Sequence, residues 1–295
     1  MDRRIRAIAA TAAIQITAVE TTQMVERARN IHKTLPLATA ALGRTLTITS
    51  IMGSQLKVDD GSVTVQVRGD GPLGTIVCVS DSEGWSRGYL QNPAVELPLR
   101  PDGKLNVGAG VGPGYLMVIK DIGLKDPVTG TIELVNGEIA EDITQYYVES
   151  EQIPSACALG VLVNTDQSVR QAGGYLVQLM PGIKDADIDR LEQNIAKAGA
   201  MTGMLDRGMT LEEIVEAILD GFAVNFLDEA EIGYRCNCSE AKVTRALLSL
   251  GEKELNELAA ANKAAEITCQ FCDKVYEFQK TQILELLETA KKKEK

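Results

Sequence analysis

The chain has 295 residues, of which 41 are acidic and 30 are basic, so its formal net charge is −11. This charge repels the phosphates of nucleic acids and anionic lipids, and it disfavours both as the main partner. A single His excludes sites that need two imidazoles, and a Ser-His-Asp triad would have to use His32. The 45% hydrophobic content predicts a globular protein with one large domain or two to three smaller ones.

The N-terminal segment imitates a secretory signal, because three Arg precede a stretch rich in Ala and Ile. Within that stretch, Ile14, Ile16 and Ala18 alternate with Gln15 and Thr17. This period of two is typical of a half-buried strand, so we predict a first strand rather than a signal. No apolar run reaches the roughly 18 residues of a membrane span. We therefore predict a cytoplasmic protein with reduced thiols and no membrane partner.

Residues 1–180 contain short strand-like runs that are separated by turn signals such as Asp-Gly and Asn-Gly. In residues 63–67, Val alternates with polar side chains between two such turns, which predicts a hairpin. Helical spacing occurs at about 22–43 and 138–150. His32 lies in the first of these helices, where we predict a surface or structural role. The fold class is therefore α+β, with an N-terminal hairpin-rich sheet domain that also contains helices.

Residues 181–235 have a different, helical pattern. Two apolar stripes occur at helical spacing, and the second is preceded by Thr210 and Glu213, which have the spacing of a capping box. Half of the eight Met fall in the short stretch from Met180 to Met209. We predict a helical linker between two domains.

Charge and glycine content indicate that this linker is only marginally stable. The net charges of residues 1–180, 181–235 and 236–295 are −4, −7 and 0, so most of the charge lies on the middle segment. Like charges on one helical segment repel each other, and each Gly inside a helix costs about 1 kcal/mol relative to Ala. Three Gly interrupt the segment: Gly199, Gly203 and Gly208.

The strongest chemical signal is a set of four thiols in residues 236–295. Cys236 and Cys238 are followed, thirty residues later, by Cys269 and Cys272. Two close Cys pairs are what a tetrahedral site with four sulfur ligands requires, because each turn supplies two ligands. Zinc is the best candidate, although tetrahedral thiolate also suits iron.

The segment that carries these thiols is a small domain with helical patterns at 240–249, 252–261 and 279–290. So short a chain buries too little apolar surface to fold by burial alone. We therefore expect the metal to supply a large part of its folding free energy.

The Cys-x-Cys spacing of the first pair is unusual for a purely structural zinc site, which typically uses Cys-x2–4-Cys. An oxidant that removes thiolate ligands would release the metal, form disulfides and unfold the domain in one linked event. The site is thus interpreted either as a structural staple or as a peroxide switch. Cys78 and Cys157, in apolar and small-residue runs, are predicted to be buried and to take no part in a switch.

Several motifs together resemble the redox-regulated 33 kDa heat-shock chaperone family, and the resemblance covers essentially the whole chain. The motifs are VQVRGDGPLG (65–74), SEQIPSA (150–156), AGGYLVQLMPG (172–182), CNCS (236–239) and CQFC (269–272), followed by Tyr276 and Phe278. The paired-Cys motif is highly specific, and the ligand positions show no departure from the family pattern.

The resemblance implies an ATP-independent holdase that is inactive while reduced, with one zinc ion on Cys236, Cys238, Cys269 and Cys272. Oxidation would then form the disulfides Cys236–Cys238 and Cys269–Cys272, release the zinc and unfold the redox domain and the linker. The resemblance also implies a homodimer that binds unfolding client proteins and has no enzymatic activity. From the residues themselves, we add the hypothesis that 181–235 contributes to client binding, since its Met and amphipathic helices offer adaptable apolar surface.

Two other functions remain as alternatives. A thiol-disulfide oxidoreductase could use Cys269 and Cys272, but the strand-to-helix setting of a thioredoxin-like motif is not predicted there. A zinc module that binds nucleic acid would need a basic surface, whereas residues 236–295 are neutral. The segment VGAGVGPG (107–114) has Pro113 where a dinucleotide fingerprint needs its third Gly, and it is predicted to be a turn.

Overall fold

The computed structural model describes residues 1–261 and 264–293. The chain forms two compact units, Met1–Arg235 and Cys236–Lys295. Among the described helices, none is both long and apolar enough to cross a membrane. The functional division into domains 1–180, 181–235 and 236–295 stays a prediction.

The first unit contains two antiparallel sheets of five strands each, which we call sheet A and sheet B. The strands of sheet A are β1 (Arg3–Ala9), β2 (Ile14–Glu20), β8 (Ser155–Val163), β9 (Val169–Leu179) and β10 (Asn225–Glu231), in the order β10-β1-β2-β9-β8. The strands of sheet B are β3 (Ser62–Gly69), β4 (Thr75–Asp81), β5 (Ser86–Leu90), β6 (Gly114–Asp121) and β7 (Val128–Glu133), in the order β5-β4-β3-β6-β7. The strand predicted from Ile14 to Ala18 is confirmed as part of β2.

The predicted hairpin at residues 63–67 is confirmed, because β3 pairs with β4 and its three Val are fully buried. Helix α2 (Pro36–Ser54) packs against strands of both sheets, and all of it except Pro36 and Arg44 is buried. A helix that is buried on every side forms the centre of a core rather than its surface. The main hydrophobic core of this unit therefore lies around α2.

The single helix predicted at about 22–43 is two helices. Helix α1 (Thr22–His32) ends at Lys33, which has a left-handed backbone conformation (φ 52°), and α2 begins at Pro36. Proline has no amide hydrogen to donate and fits the first turn of a helix, so it starts α2 instead of continuing α1. The helix predicted at 138–150 consists of α4 (Ala140–Tyr146) and a π-helical turn (Tyr147–Glu151).

The glycine-rich segment at 107–114 forms a short helix, α3 (Val107–Val111), rather than the simple turn that we predicted. The side chain of Asn106 accepts a hydrogen bond from the amide of Ala109, and Gly112 ends the helix with φ 73°. A loop, not a strand, precedes α3, so the strand-turn-helix arrangement of a dinucleotide site is not formed here.

Three helices of the predicted linker pack on the outer face of sheet A. These are α5 (Asp185–Ala198), α6 (Met201–Asp206) and α7 (Leu211–Ile218). Their apolar side chains share a second hydrophobic cluster with Ile5, Ile14 and Ile16 of the sheet. The predicted capping box is confirmed: Thr210 Oγ1 accepts from the amide of Glu213 at 3.2 Å, and the Glu213 carboxylate accepts from the amide of Thr210 at 2.8 Å.

The prediction that residues 181–235 are helical throughout is wrong for its last part. Residues 225–231 form β10, an edge strand of sheet A that pairs antiparallel with β1. The physical reason is long-range: β1 offers an unpaired edge and three Arg, and β10 supplies carboxylates that ion-pair with them. Local spacing in the sequence carries no information on either partner.

The residues that follow β10 are fixed to β5 and to the turn between β4 and β5. The hydroxyl of Tyr234 donates to the carbonyl of Gly88 at 3.0 Å. Arg235 forms ion pairs with Asp81 and Glu83, and its guanidinium lies 4.8 Å from the centre of the Trp85 ring. The chain is therefore anchored up to the residue that immediately precedes the first thiol of the Cys set.

The second unit contains three helices and one hairpin within its described residues. They are α8 (Glu240–Leu250), α9 (Glu252–Ala260), β11 (Ala265–Thr268), β12 (Val275–Phe278) and α10 (Lys280–Lys293). The three helices predicted in this segment are confirmed. Among the residues whose burial is described, its hydrophobic cluster has seven buried members: Leu247, Leu255, Ala259, Tyr276, Phe278, Ile283 and Leu287.

Candidate metal centre

The four thiols of the second unit come from two separate stretches of chain. Cys236 and Cys238 lie in the extended segment before α8, and Cys269 and Cys272 lie in the turn between β11 and β12. The amide of Cys269 donates to the carbonyl of Lys274 at 2.9 Å, and the amide of Cys272 donates to the carbonyl of Cys269 at 3.3 Å. These bonds form a tight turn, so one short piece of backbone supplies two of the four sulfur atoms.

The fold brings all four sulfur atoms together, within 4.8 Å of one another. Cys236 Sγ lies 3.7 Å from Cys269 Sγ, and Cys238 Sγ lies 3.5 Å from Cys272 Sγ. Four thiolates at about 2.3 Å from a zinc ion form a tetrahedron with edges of about 3.8 Å. The observed separations match that geometry, so these residues fit a metal ion with four sulfur ligands.

The sulfur atoms differ in their surroundings. Burial acts to raise the pKa of Cys238, but the hydroxyl of Tyr276, which donates to its sulfur at 3.1 Å, and the neighbouring thiols lower it to about 7. The pKa of Cys236 is raised, chiefly by burial. A bound divalent cation would override these differences, because it favours the thiolate form of every ligand.

Tyr276 was part of the motif set, but its contact with a ligand sulfur was not predicted. It lies on β12, and Lys274 places its ammonium group 4.8 Å from the centre of the same ring. A hydroxyl that donates to a ligand sulfur orients that ligand and tunes its basicity. An aromatic residue four positions after Cys272 was the available signal, but its contact depends on the register of the β11–β12 hairpin and on where the fold places the first Cys pair.

The other two cysteines and the single histidine lie in the first unit. Cys78 is fully buried on β4, as predicted, and burial raises the pKa of its thiol. Cys157 on β8 is only partly buried, and burial and the nearby Glu141 raise its pKa. His32 is partly exposed at the end of α1, with Nε2 3.4 Å from the hydroxyl of Tyr234. None of these three side chains belongs to the thiol cluster.

The fold and the site define an α+β protein with two sheets around a central helix and a cluster of four thiols that could hold a metal ion. The sequence profile of the family described as Hsp33 protein matches residues 2–279. The chain belongs to the Hsp33 protein family, which confirms the resemblance noted in the sequence.

Individual relatives agree with this family over almost their full length. A protein of Clostridioides difficile (strain 630) named 33 kDa chaperonin is 47% identical over 287 residues, covering 97% of this chain and 98% of the relative. One of Agathobacter rectalis with the same name is 47% identical over 285 residues, covering 97% and 99%. The crystal structure of the 33 kDa chaperonin (heat shock protein 33 homolog) of Thermotoga maritima superposes with a TM-score of 0.89 at 34% identity, covering 99% of each chain.

Proposed function

We propose that this protein is a redox-regulated, ATP-independent holdase chaperone that binds unfolding proteins after oxidation and has no enzymatic activity. Membership of the Hsp33 family supports a chaperone function. The observation that carries the redox part is the cluster of four sulfur atoms within 4.8 Å of one another. In the reduced protein, Cys236, Cys238, Cys269 and Cys272 hold one zinc ion; iron is the alternative metal.

Peroxide supplies the oxidising equivalents. Each peroxide molecule takes two electrons from one pair of thiolates and two protons from the solvent, so one S–S bond forms, two water molecules are released and the metal loses two ligands. The disulfides are Cys236–Cys238 and Cys269–Cys272, as the resemblance implies. The sulfur contacts of 3.7 and 3.5 Å cross between the pairs. Once the metal leaves and the unit opens, sequence neighbours stay close because short loops cost the least entropy to close.

Loss of the metal dismantles the second unit, since the described part of this unit has a hydrophobic cluster of seven buried members, which is too small to hold the unit alone. Only four residues separate Cys236 from β10, so unfolding at Cys236 loosens the end of the linker. The linker is the most acidic part of the chain, with a net charge of −7 in residues 181–235. Release of α5–α7 would uncover the apolar face of sheet A that includes Ile14 and Ile16. That face, with Met201 and Met204 of α6, gives unfolding clients an adaptable apolar surface.

We further propose that the protein is a cytoplasmic homodimer. Strand β8 is an edge of sheet A, and in the described part of the chain it pairs only with β9. Its nine residues, SACALGVLV, contain no charge and no Pro, although such an edge normally invites pairing with another chain. If β8 pairs with β8 of a second copy about a two-fold axis, the amide and carbonyl groups of this edge gain partners. The result is a closed dimer with no free β8 edge. Sedimentation velocity on the reduced protein checks this part, with a monomer as the opposing result.

The test of the redox proposal is a peroxide titration that follows zinc release, free thiols and suppression of client aggregation in the same samples. We expect the loss of four thiols and one zinc ion per chain to accompany the gain of holdase activity. A Cys157→Ser variant should behave like the unchanged protein, while a Cys269→Ser variant should lose zinc binding and peroxide control. Holdase activity that rises while zinc stays bound would contradict the proposed switch.

The oxidoreductase alternative finds no support in the setting of Cys269 and Cys272. They lie in a hairpin turn between β11 and β12, whereas a thioredoxin-like motif lies where a strand leads into a helix. Catalytic turnover of a dithiol substrate by the metal-free protein would favour that alternative. Stoichiometric oxidation alone favours the switch.

A further inference from the structure

Strand β1 carries three arginines whose carboxylate partners all come from the predicted linker. Arg3 forms ion pairs with Glu212 of α7 at 2.7 Å and with Glu229 of β10 at 3.0 Å. Arg4 pairs with Asp228 at 2.9 Å, and Arg6 donates to the same carboxylate. Across the described residues, no ion pair joins these three arginines to a carboxylate of residues 1–180. Release of 181–235 therefore removes the counter-charges of all three at once.

Without the carboxylates of the linker, these three positive charges destabilise the strand that carries them. The side chain of Arg4 is only 9% exposed, and burial lowers its pKa while Asp228 counteracts the effect. Release of the linker takes away the carboxylate that ion-pairs with Arg4, while Arg6, which also lowers the pKa of Arg4, stays on the same strand. β1 is also left as an edge strand, with a row of unpaired amide and carbonyl groups. After release of the linker, the edge of β1 would therefore bind a partner that offers both a strand to pair with and negative charge.

Strand β10 shows what satisfies both requirements. It pairs antiparallel with β1 in a register that places Glu231 opposite Arg3 and Asp228 opposite Arg6, with a bulge at Leu227. Its own apolar side chains contribute little, since Phe226 is 44% and Leu227 is 52% exposed. Backbone pairing and ion pairs, rather than burial, therefore hold β10 in place, and these are interactions that a different extended segment can reproduce.

We propose that β1 is a strand-pairing site for extended, acidic segments of client proteins, and that β10 occupies this site as an internal mimic in the inactive protein. The inference rests on the proposed function, because the site opens only when the linker is released. Strand addition supplies affinity through the main chain, which any sequence offers. The three arginines supply the preference, because opposite charges across neighbouring strands attract and like charges repel.

A peptide is the chosen partner rather than a nucleic acid, although both carry negative charge. The segment that occupies this edge in the structure, β10, is a polypeptide strand. A nucleic acid has no backbone that can pair with β1 in this way. Residues 1–180 have a net charge of −4 even with these three arginines included, so a long polyanion is repelled beyond this one strip.

The experiment uses the full chain after oxidation and zinc release, and two synthetic peptides. One peptide has the sequence of residues 224–232, VNFLDEAEI, and the other replaces its three acidic residues with Lys. By titration calorimetry at low salt, we expect the acidic peptide to bind about tenfold more tightly than the Lys peptide. This preference should shrink as the salt concentration rises, and the reduced, zinc-loaded protein should bind neither peptide.

Charge reversal on the protein gives the specific control. A double variant, Arg3→Glu with Arg6→Glu, should lose the preference for the acidic peptide and gain one for the Lys peptide, which a merely misfolded protein would not do. The matched control is Arg170→Glu, which breaks the ion pair between β9 and Asp206 of α6 but leaves β1 unchanged. This control should retain the original preference.

The outcomes separate the inference from the function on which it rests. If the oxidised protein suppresses client aggregation but binds both peptides equally, the proposed function stands and the β1 site is wrong. A preference that survives the Arg3/Arg6 double variant also overturns the site. If the oxidised protein neither suppresses aggregation nor binds peptide, the proposed function fails and the inference falls with it.

Discussion

The two units of this protein draw their stability from different sources. In the first unit, a central helix is buried between two five-stranded sheets, and a second apolar cluster lies on the outer face of sheet A. In the second, the hydrophobic cluster has seven buried members among the described residues, and a hairpin turn and the segment before α8 bring four sulfur atoms together. In the proposed switch, oxidation of the thiols removes the stability of the second unit and leaves the core around α2 in place. A switch that must dismantle one part and keep a binding surface intact needs this division.

The helices α5–α7 are intermediate between these extremes. They contribute fully buried residues such as Met204 and Ile214, yet they also carry much of the chain's negative charge. These residues are buried only because α5–α7 lie as a single layer on one face of sheet A. The molecule therefore has three levels of stability: the core around α2, the layer of linker helices and the second unit.

Removal of the metal from the reduced protein should have the largest effect. A strong chelator should unfold the second unit, because metal binding at such sites supplies about 10 kcal/mol or more of folding free energy. Hydrogen exchange should show loss of amide protection in β11 and β12 while β3 and β4 keep theirs. Added zinc should restore protection. Persistent protection of β11 and β12 without metal would show that burial alone holds the second unit.

The same truncation in each core should have different consequences. Leu46→Ala, in the buried part of α2, should lower the free energy of unfolding of the first unit by about 3 kcal/mol. Leu255→Ala, equally buried in the second unit, should instead weaken zinc binding by about 100-fold, because folding and binding are linked there. Urea unfolding and competition with a chelator measure the two effects. If Leu46→Ala weakened zinc binding as much as Leu255→Ala, the two units would not be independent.

The smallest expected effect concerns the layer of linker helices. Thr210→Ala removes the hydroxyl that caps α7, and such losses cost about 1 kcal/mol. We expect faster exchange of the amides in α7 and release of 181–235 at a lower peroxide dose, with no change in α2. Thr210→Ser keeps the capping hydroxyl and should resemble the unchanged protein. Equal destabilisation of α2 would mean that the layer and the core unfold together.

Local patterns in the sequence predicted the elements whose determinants are themselves local. The alternating Val of β3, the capping box at Thr210 and Glu213, and the three helices of the second unit depend on short-range spacing, and all are confirmed. The four Cys were identified as one set because paired thiols with this spacing have few other uses. Their geometry in the structure agrees with that expectation.

What the sequence did not reveal depends on contacts between distant segments. Strand β10 lies in a segment predicted to be helical, because its partner, β1, is more than two hundred residues away in the chain and leaves no local signal. The contact of Tyr276 with Cys238 depends on the hairpin register and on where the first Cys pair lies. The break between α1 and α2 was the exception, since Pro36 was visible and its effect on the helix could have been predicted.

The anchoring of Arg235 has a consequence for how the protein can be observed. Trp85 is the only tryptophan in the chain, and the guanidinium of Arg235 lies against its ring, one residue before Cys236. A cation stacked on an indole alters its fluorescence, and so does the entry of water when the cation leaves. The emission of this one side chain therefore reports whether the backbone leading into the thiol cluster is still attached, in unlabelled protein and on the timescale of mixing.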